Sequence, residues 1–557
     1  MQAHKIPVFK SWVSEWMARS VIFAILMACL FGFALYGSPV AAMGYYGIQP
    51  PDVQFGMVVL YGSTVAFLSL DVRMVKYFPT RKYLLTAFAL NAVCSVVCFN
   101  FREYALFMVC QFLQGITCAL MSGIVLQLIF PRLHALRARV IAYSLLYGSI
   151  QIAAPLYSIY TSLVLHFFDF NWLFYGYTIL LIILSIVVLI TMNGKARFTK
   201  RMPLYQLDWI GYLLYVSFIL IMGYIFVYGR QLGWLDSPLI PLLTLGSLII
   251  LSLFIIRALK LKRPLINLQI FKVKNFVIGL LLLFTFYIFK GSTGMAYGYL
   301  EGILGNDPLS TIPIWTAVIA GTVLSMFVTS RFVLMGFNLV KIIMVGFVMM
   351  ALYYIDMILF VSVQGETIDF IIPMFLYGVA TGVLFVPIVS FTNSSAPPAI
   401  AVNASLVGIL ARFIGFTVSL AFSNELQLFA KSAVREKVRE TITEINPHLP
   451  GVLLDIQNEY ATTGNDLYTS KALSTSYLNK MVGRQVLARA TRDYYNLMLI
   501  GVILVIVILI IFPQVKKLTF KLKKDHIPSK LNSGQAGHLP NNLAAISDDS
   551  QFHQRSG

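Results

Sequence analysis

The sequence predicts an all-α integral membrane protein with fourteen transmembrane helices. Three observations predict it. Fourteen separate apolar segments are each long enough to cross a bilayer. Hydrophobic residues make up 58% of the chain and charged residues only 12%. The lysines and arginines gather in alternate connecting loops. In lipid every backbone polar group must be satisfied within the chain, so long apolar segments of this kind cross as helices.

The spans fall at 20–38, 53–72, 83–100, 105–130, 140–166, 172–192, 209–229, 236–257, 276–298, 311–330, 342–362, 371–393, 402–425 and 494–513. Ahead of the first, Ser11–Arg19 carries Trp12, Glu15 and Trp16 and predicts a short interfacial helix. Loops after even-numbered spans are basic: Arg73–Lys82, Arg132–Arg139, Lys195–Arg201 and Arg257–Lys274. The short loops on the other side hold only Arg102 and Arg230. The positive-inside bias then places both termini on the cytoplasmic side. The net charge of +19 is retention charge with some attraction for anionic lipid headgroups. It is spread over many segments and gathers in no patch, which argues against a nucleic-acid partner.

Residues 426–493 are the exception, an external segment with nine basic residues. Long segments translocate largely regardless of charge. Here Glu436, Glu440, Glu444, Asp455, Glu459, Asp466 and Asp493 nearly balance the bases. Leu426–Ile445 and Leu473–Tyr494 look helical, and Asn446–Asp466 looks looser, so a small helical cap is expected. The chain thus divides into 1–200, an N-terminal six-helix bundle, and 201–262, two inserted helices. Spans nine to thirteen follow in 263–425, then the external loop 426–493, span fourteen in 494–515, and a tail, 516–557. The tail is rich in Ser, Asn, Gly and His and is expected to be disordered.

Cys29, Cys94, Cys98, Cys110 and Cys118 all lie inside spans and predict packing residues, with no metal site and no disulfide framework. No Walker loop, nucleophile elbow or His-Glu-x-x-His pair occurs. A non-enzyme without a cofactor is expected, either a secondary transporter or a channel for a small-molecule substrate.

Ionisable groups inside the spans are costly and point to function. Lys290 lies about fifteen residues into span nine and Asp356 about fifteen into span eleven, both roughly 21 Å deep from the basic side. Arg412 lies about ten residues into span thirteen. Lys290 and Asp356 are placed to pair, either as a fixed structural link or with Lys290 as a charge that binds an anionic group or senses protonation. Gly291, Gly294 and Gly298 follow Lys290 and predict a bend or unwinding there, with Tyr287 one turn before. Uncharged polar groups include Tyr36, Asn91, Gln111, Gln114 and Gln151. The small pairs Gly115–Ala119 and Gly378–Gly382 predict close helix packing, and Pro155 and Pro387 predict kinks.

The chain also carries Leu207-Asp208-Trp209-Ile210-Gly211 opening span seven and Gly229-Arg230-Gln231-Leu232-Gly233-Trp234 leaving it. Gln111-Phe112-Leu113-Gln114-Gly115 lies in span four and Pro264-Leu265-Ile266-Asn267-Leu268 precedes span nine. With these residues the sequence resembles the fourteen-helix drug:proton antiporter branch of the major facilitator superfamily. The resemblance implies a major facilitator fold: two six-helix bundles, spans one to six and nine to fourteen, with spans seven and eight inserted. It implies that Tyr36, Gln111, Lys290 and the face around Tyr377 line the cavity, with Asp356 more peripheral. It implies a cytoplasmic gate loop holding Asp71, Arg73, Arg81 and Lys82. The chain departs from the branch in four places. It has no glycine from Ser63 to Pro79. Gln111 stands at a usual arginine, and Ala154 replaces the glycine before Pro155. No acid occurs between Ser20 and Tyr36. These departures move the expected proton coupling toward the C-terminal half. The expected function is proton-coupled export of amphipathic small molecules by a monomer, and the resemblance makes the expected membrane a bacterial inner membrane, with a periplasmic adaptor as possible partner. The alternatives are an uncoupled facilitator or importer, and a non-transporting membrane sensor or assembly protein.

Overall fold

The computed structural model describes residues 8–33, 38–129, 135–194, 196, 207–261, 263–301, 308–363, 365–397, 400–441 and 448–511. Tyr36 and the tail 516–557 lie outside the described residues. The N-terminal bundle holds α1 (Glu15–Phe33), the short α2 (Pro39–Tyr46), α3 (Pro50–Tyr77), α4 (Thr80–Asn100), α5 (Tyr104–Ile129), α6 (Ala135–Phe167) and α7 (Trp172–Thr191). The inserted pair is α8 (Trp209–Tyr228) and α9 (Leu239–Lys260). The C-terminal bundle holds α10 (Lys274–Lys290), α11 (Thr293–Tyr299), α12 (Ile312–Leu334), α13 (Leu339–Phe360), α14 (Ile371–Ser394), α15 (Ala401–Thr441) and α17 (Leu467–Ile511). Between the last two lies α16 (His448–Thr462). Fourteen of these segments are long and apolar enough to cross a membrane, with α10 and α11 sharing one. The outer faces leave Ile182, Ile186, Leu245, Leu253, Ile503 and Leu504 exposed, an apolar belt that only lipid can cover.

Several expectations are corrected. The Trp12–Trp16 stretch is no separate interfacial helix, because α1 begins at Glu15 and runs straight into the first span. Asn446–Asp466 is not loose, since α16 occupies most of it and packs on α17. The other cap segments are continuations of α15 and α17 beyond the apolar spans. At 1.5 Å per residue these extensions reach roughly 24 and 40 Å past the membrane. This end of the molecule is called the cap end below, and the opposite end the basic end.

Helix packing follows the small residues. A Cβ on Gly378 would lie 2.4 Å from the Val318 carbonyl oxygen, and one on Gly321 would lie 2.4 Å from that of Phe375, so α12 and α14 touch backbone to backbone. Gly115 does the same for α3 and α5, 2.3 Å from the Leu60 carbonyl oxygen. The expected close packing at both small-residue pairs is present.

The motifs flanking the inserted pair have a mechanical explanation. Asp208 caps α8 by accepting the Gly211 N–H at 2.9 Å and pairs with Arg257 of α9 at 2.8 Å. Gly211 is required because a Cβ there would lie 2.2 Å from the Asp208 carboxylate. At the other end Gly233 (φ +70°) turns the chain, and Trp234 packs on Gly229. The Trp234 indole then donates to Glu425 of α15 at 3.2 Å, and Arg230 pairs with the same carboxylate at 3.1 Å. Gly62 and Gly223 let α8 lie tight on α3. The inserted pair therefore sits beside the seam where α3 meets α15.

Candidate functional site

The two bundles meet along two seams, α3 with α15 and α6 with α12. At the cap end polar links cross them. Gln54 and Asn424 exchange two amide hydrogen bonds, at 3.0 and 2.7 Å. Ser162 and Thr311 share a hydroxyl contact at 3.2 Å. Glu301, just beyond α11, accepts from the Ser38 hydroxyl and the Val40 backbone N–H at the start of α2. The structure is thus a form closed at the cap end.

The ninth span is broken. It covers 26 residues, but α10 ends after 17 of them at Lys290, and α11 restarts at Thr293. A break at membrane depth disturbs the helical donors of nearby carbonyls: the Lys290 carbonyl is met by hydroxyls, while those of Phe289 and Ser292 keep backbone N–H donors, from Ser292 and from Met295 and Ala296. Hydroxyls add to them. Tyr377 donates to the Lys290 carbonyl at 3.1 Å and Thr293 to the same oxygen at 3.1 Å. Tyr354 donates to the Phe289 carbonyl at 3.0 Å, and Tyr495 to that of Ser292 at 3.5 Å. Three helices, α13, α14 and α17, therefore hold the break open. Tyr354→Phe is expected to remove the hydroxyl donor of the Phe289 carbonyl, which keeps the Ser292 N–H, and to cost about 0.5–1.5 kcal/mol. An unchanged melting temperature would show that the break is held some other way.

The break presents the Lys290 side chain half-buried, its ammonium 5.2 Å from the centre of the Tyr287 ring. Tyr287 and Phe385 rings lie 6.3 Å apart, and the Arg412 guanidinium, 3% exposed, sits 5.2 Å from the Phe385 ring centre. Close packing of α10 on α15 brings the two cations together. Gly291 faces Ser419, whose hydroxyl donates to the Ile288 carbonyl at 2.9 Å, and Gly415 faces Tyr287. Lys290 and Arg412 are near enough to repel each other.

Other predicted residues lie elsewhere. Asp356 makes no ion pair with Lys290. It is flanked on α13 by the exposed Leu352, Ile355 and Leu359, while Tyr353, Tyr354 and Met357 form the buried stripe. Equal depth did not imply a shared face, because the helix turns about 100° per residue. Gln111 is fully buried and donates to Gln114 at 3.1 Å, which donates to Ser95 of α4 at 3.2 Å. It serves helix packing within the N-terminal bundle.

The gate loop is also corrected. Asp71 and Arg73 lie within α3, Arg81 and Lys82 within α4, and only Phe78 and Pro79 connect them. Asp71 is sealed, 1% exposed, accepting the Tyr83 hydroxyl at 2.6 Å and lying against Gly123 of α5. Arg73 reaches the carbonyls of Arg263 and Pro264 at 3.4 Å, and Arg81 that of Met192 at 3.4 Å. Lys82 is exposed. Sequence reasoning named Tyr377 but missed Glu301, Tyr354 and Tyr495, whose partners are remote along the chain. The glycines after Lys290 were the one signal for the break.

Residues 21–420 match the sequence profile of the Major Facilitator Superfamily. The chain belongs to the Major Facilitator Superfamily. Within the superfamily it is 24% identical over 287 residues to the probable multidrug resistance protein EmrY of Escherichia coli strain K12, covering 46% of this chain and 53% of that protein. It is 23% identical over 295 residues to the multidrug export protein EmrB of the same strain, covering 50% and 54%. The chain thus spans about half the length of the curated relatives it matches. These relatives and the fourteen spans bear out the EmrB-like branch that the span-seven motifs indicated. A crystal structure of the peptide transporter POT in complex with sulfate is similar in fold, with a TM-score of 0.55, 14% identity, and coverage of 93% of this chain and 98% of that one. This superfamily member is a multi-pass membrane transporter and not an enzyme.

Proposed function

We propose that this transporter exports amphipathic small molecules by proton-coupled alternating access, as a monomer with both termini in the cytoplasm of a bacterial inner membrane. The observation that carries the reading is the broken ninth span, which sets Lys290 and aromatic rings at membrane depth. Substrate sites of secondary transporters form where half-helices break near the midplane and the bundles rock around them. The printed names of EmrY and EmrB support the substrate class. The basic loops support the orientation. An inward proton carries about 2.3 kcal/mol per 100 mV of membrane potential, which is available to drive export.

Glu301 supports the coupling. Burial against α2 raises its carboxyl above the ordinary range, opposed by the hydrogen bonds from Ser38 and Val40. In a cap-open form the carboxyl regains water and its ordinary affinity. The closed form then binds the proton more tightly, so acidification favours closure and rising pH favours opening. That sign suits a cycle in which an external proton closes the outer side. Labelling of cysteines placed at the cap-end seam is expected to increase with pH in the parent protein and to be flat in Glu301→Gln. Labelling that falls with rising pH would contradict the assignment.

The cap formed by α15, α16 and α17 exposes Phe429, Leu454 and Tyr468 and is the surface available to a periplasmic adaptor. The reading as a whole is tested by dye flux in inverted vesicles energised by an imposed pH gradient. Uptake abolished by a protonophore is expected. Flux that persists with the protonophore would favour an uncoupled facilitator, and no flux of any dye would favour a sensor or assembly protein.

A further inference from the structure

Helix α11 has one covered side and one open side. Met295, Ala296 and Tyr299 are buried, with Ser292 before them and Leu300 after. That side is held by its own bundle. Tyr354 donates to the Ser292 hydroxyl at 3.4 Å, and the Tyr299 hydroxyl donates to the Ser362 carbonyl, with its ring centre 5.2 Å from that of Phe370. At 100° per residue the opposite side carries Lys290, Gly294, Tyr297, Gly298 and Glu301. Gly294 and Gly298 are exposed, and a Cβ on either would meet no atom within 4 Å. Lys290 and Tyr297 lie deep in the protein, yet each keeps part of its surface uncovered. Lipid is not the neighbour of this side. Ionisable groups at membrane depth face the protein interior or a watery space, and Glu301 reaches Ser38 and Val40 of the N-terminal bundle. Against Tyr297 lies Trp315 of α12, 3% exposed, with the two rings nearly parallel and their centres 3.9 Å apart. Neither the Tyr297 hydroxyl nor the Trp315 indole N–H has a hydrogen-bond partner among the described residues.

We infer that this open side of α11 seats the body of the substrate, and that the substrates are flat fused-ring compounds with a hydrogen-bond acceptor on the edge. Glycine lets a ligand approach the backbone closely, and a binding site combines apolar surface with a few placed polar groups. The ring system lies over Gly294 and Gly298, where no side chain stands. Its edge acceptor takes the Tyr297 hydroxyl or the Trp315 N–H. From Lys290 to Glu301 the surface runs eleven residues, roughly 16 Å, and a charged group closes each end. A globular body of the same polarity touches the flat backbone over less of its area and binds less tightly.

The inference rests on the transporter reading for access of substrate to this side, but its test is separate. The full chain in lipid nanodiscs is titrated calorimetrically with anthracene-2-carboxamide and adamantane-1-carboxamide, with empty nanodiscs subtracting lipid partition. These share the polar group and differ in shape. The anthracene compound is expected to bind at least tenfold more tightly. Gly294→Leu and Gly298→Leu are each expected to erase that preference and to melt no lower than the parent, since leucine is the better helix former and meets no atom there. Gly294→Ala, with one added methyl, and Gly246→Leu on α9 are expected to keep it. Equal or tighter binding of the adamantane compound would overturn the seat, as would failure of both to bind, or a preference that survives in either leucine variant. A leucine variant that melts below the parent would show a covered surface and overturn it too. Flux is then measured on the same pair. Shape-selective binding without flux of either compound sinks the transporter reading and leaves the seat. Flux without shape preference does the reverse.

Discussion

Lys290→Met is expected to make this transporter more stable and to reduce its substrate flux at least tenfold. The two effects share one cause. The ammonium stands half-buried at the break in the ninth span, beside the Arg412 guanidinium, with the Tyr287 ring as its described contact. Methionine fills nearly the same volume, keeps the contact with Tyr287 and removes both the desolvation cost and the repulsion. A gain on the order of 1 kcal/mol follows, kept small because the lysine retains some access to water. Transport loses a charged hydrogen-bond donor, and a hydrogen bond to a charged group is worth about 1.5–3 kcal/mol, more than a tenfold effect on flux. The measurement is a melting curve in detergent alongside flux in vesicles under a pH gradient. A variant that melts earlier and still transports would assign Lys290 to structure.

Gly378→Val is expected to prevent assembly of the C-terminal bundle. The added Cβ would stand 2.4 Å from the Val318 carbonyl oxygen and 3.0 Å from the Thr322 nitrogen, both backbone atoms that cannot rotate aside. Helices α12 and α14 would have to separate by about an ångström along a seam that also holds Gly321 and Gly382. Overpacking of this kind costs about 3 kcal/mol or more, and in a membrane it removes the packing that drives helix association. The control is Gly246→Ala on α9, where nothing lies within 4 Å of the new Cβ. That variant should be unchanged or slightly stabilised, since alanine is the better helix former. Monodispersity in size-exclusion chromatography and the yield of folded protein separate the two. A well-behaved Gly378→Val with unaltered melting would show that α12 and α14 do not touch there.

The legible part of this protein is the part governed by local chemistry. Spans were readable because lipid admits few solutions for an apolar segment, and all fourteen helices lie where the hydropathy put them. Gly115, Gly378 and Gly382 announced tight packing, and the glycines after Lys290 announced a break. The errors have one form. Asp356 was matched to Lys290 by depth, and depth does not give the direction a side chain takes around its helix. Asp71 was placed in a gate loop through resemblance, yet α3 carries on to Tyr77 and seals its carboxyl beside Tyr83 and Gly123. Gln111 was placed in a cavity through resemblance, and its own neighbours Gln114 and Ser95 claim it for packing.

From its residues alone this chain was bound to be a helical membrane protein with a basic side and an acidic-basic cap, because hydrophobicity and charge act on each segment independently of the others. Which groups meet was settled only in three dimensions. Tyr354, Tyr377 and Tyr495 come from three helices to hold the carbonyls at one break, Arg412 comes beside Lys290, and Glu301 reaches Ser38 across the bundles. Those encounters depend on the rotation and crossing of whole helices, which small residues at the contacts set and which no single segment encodes.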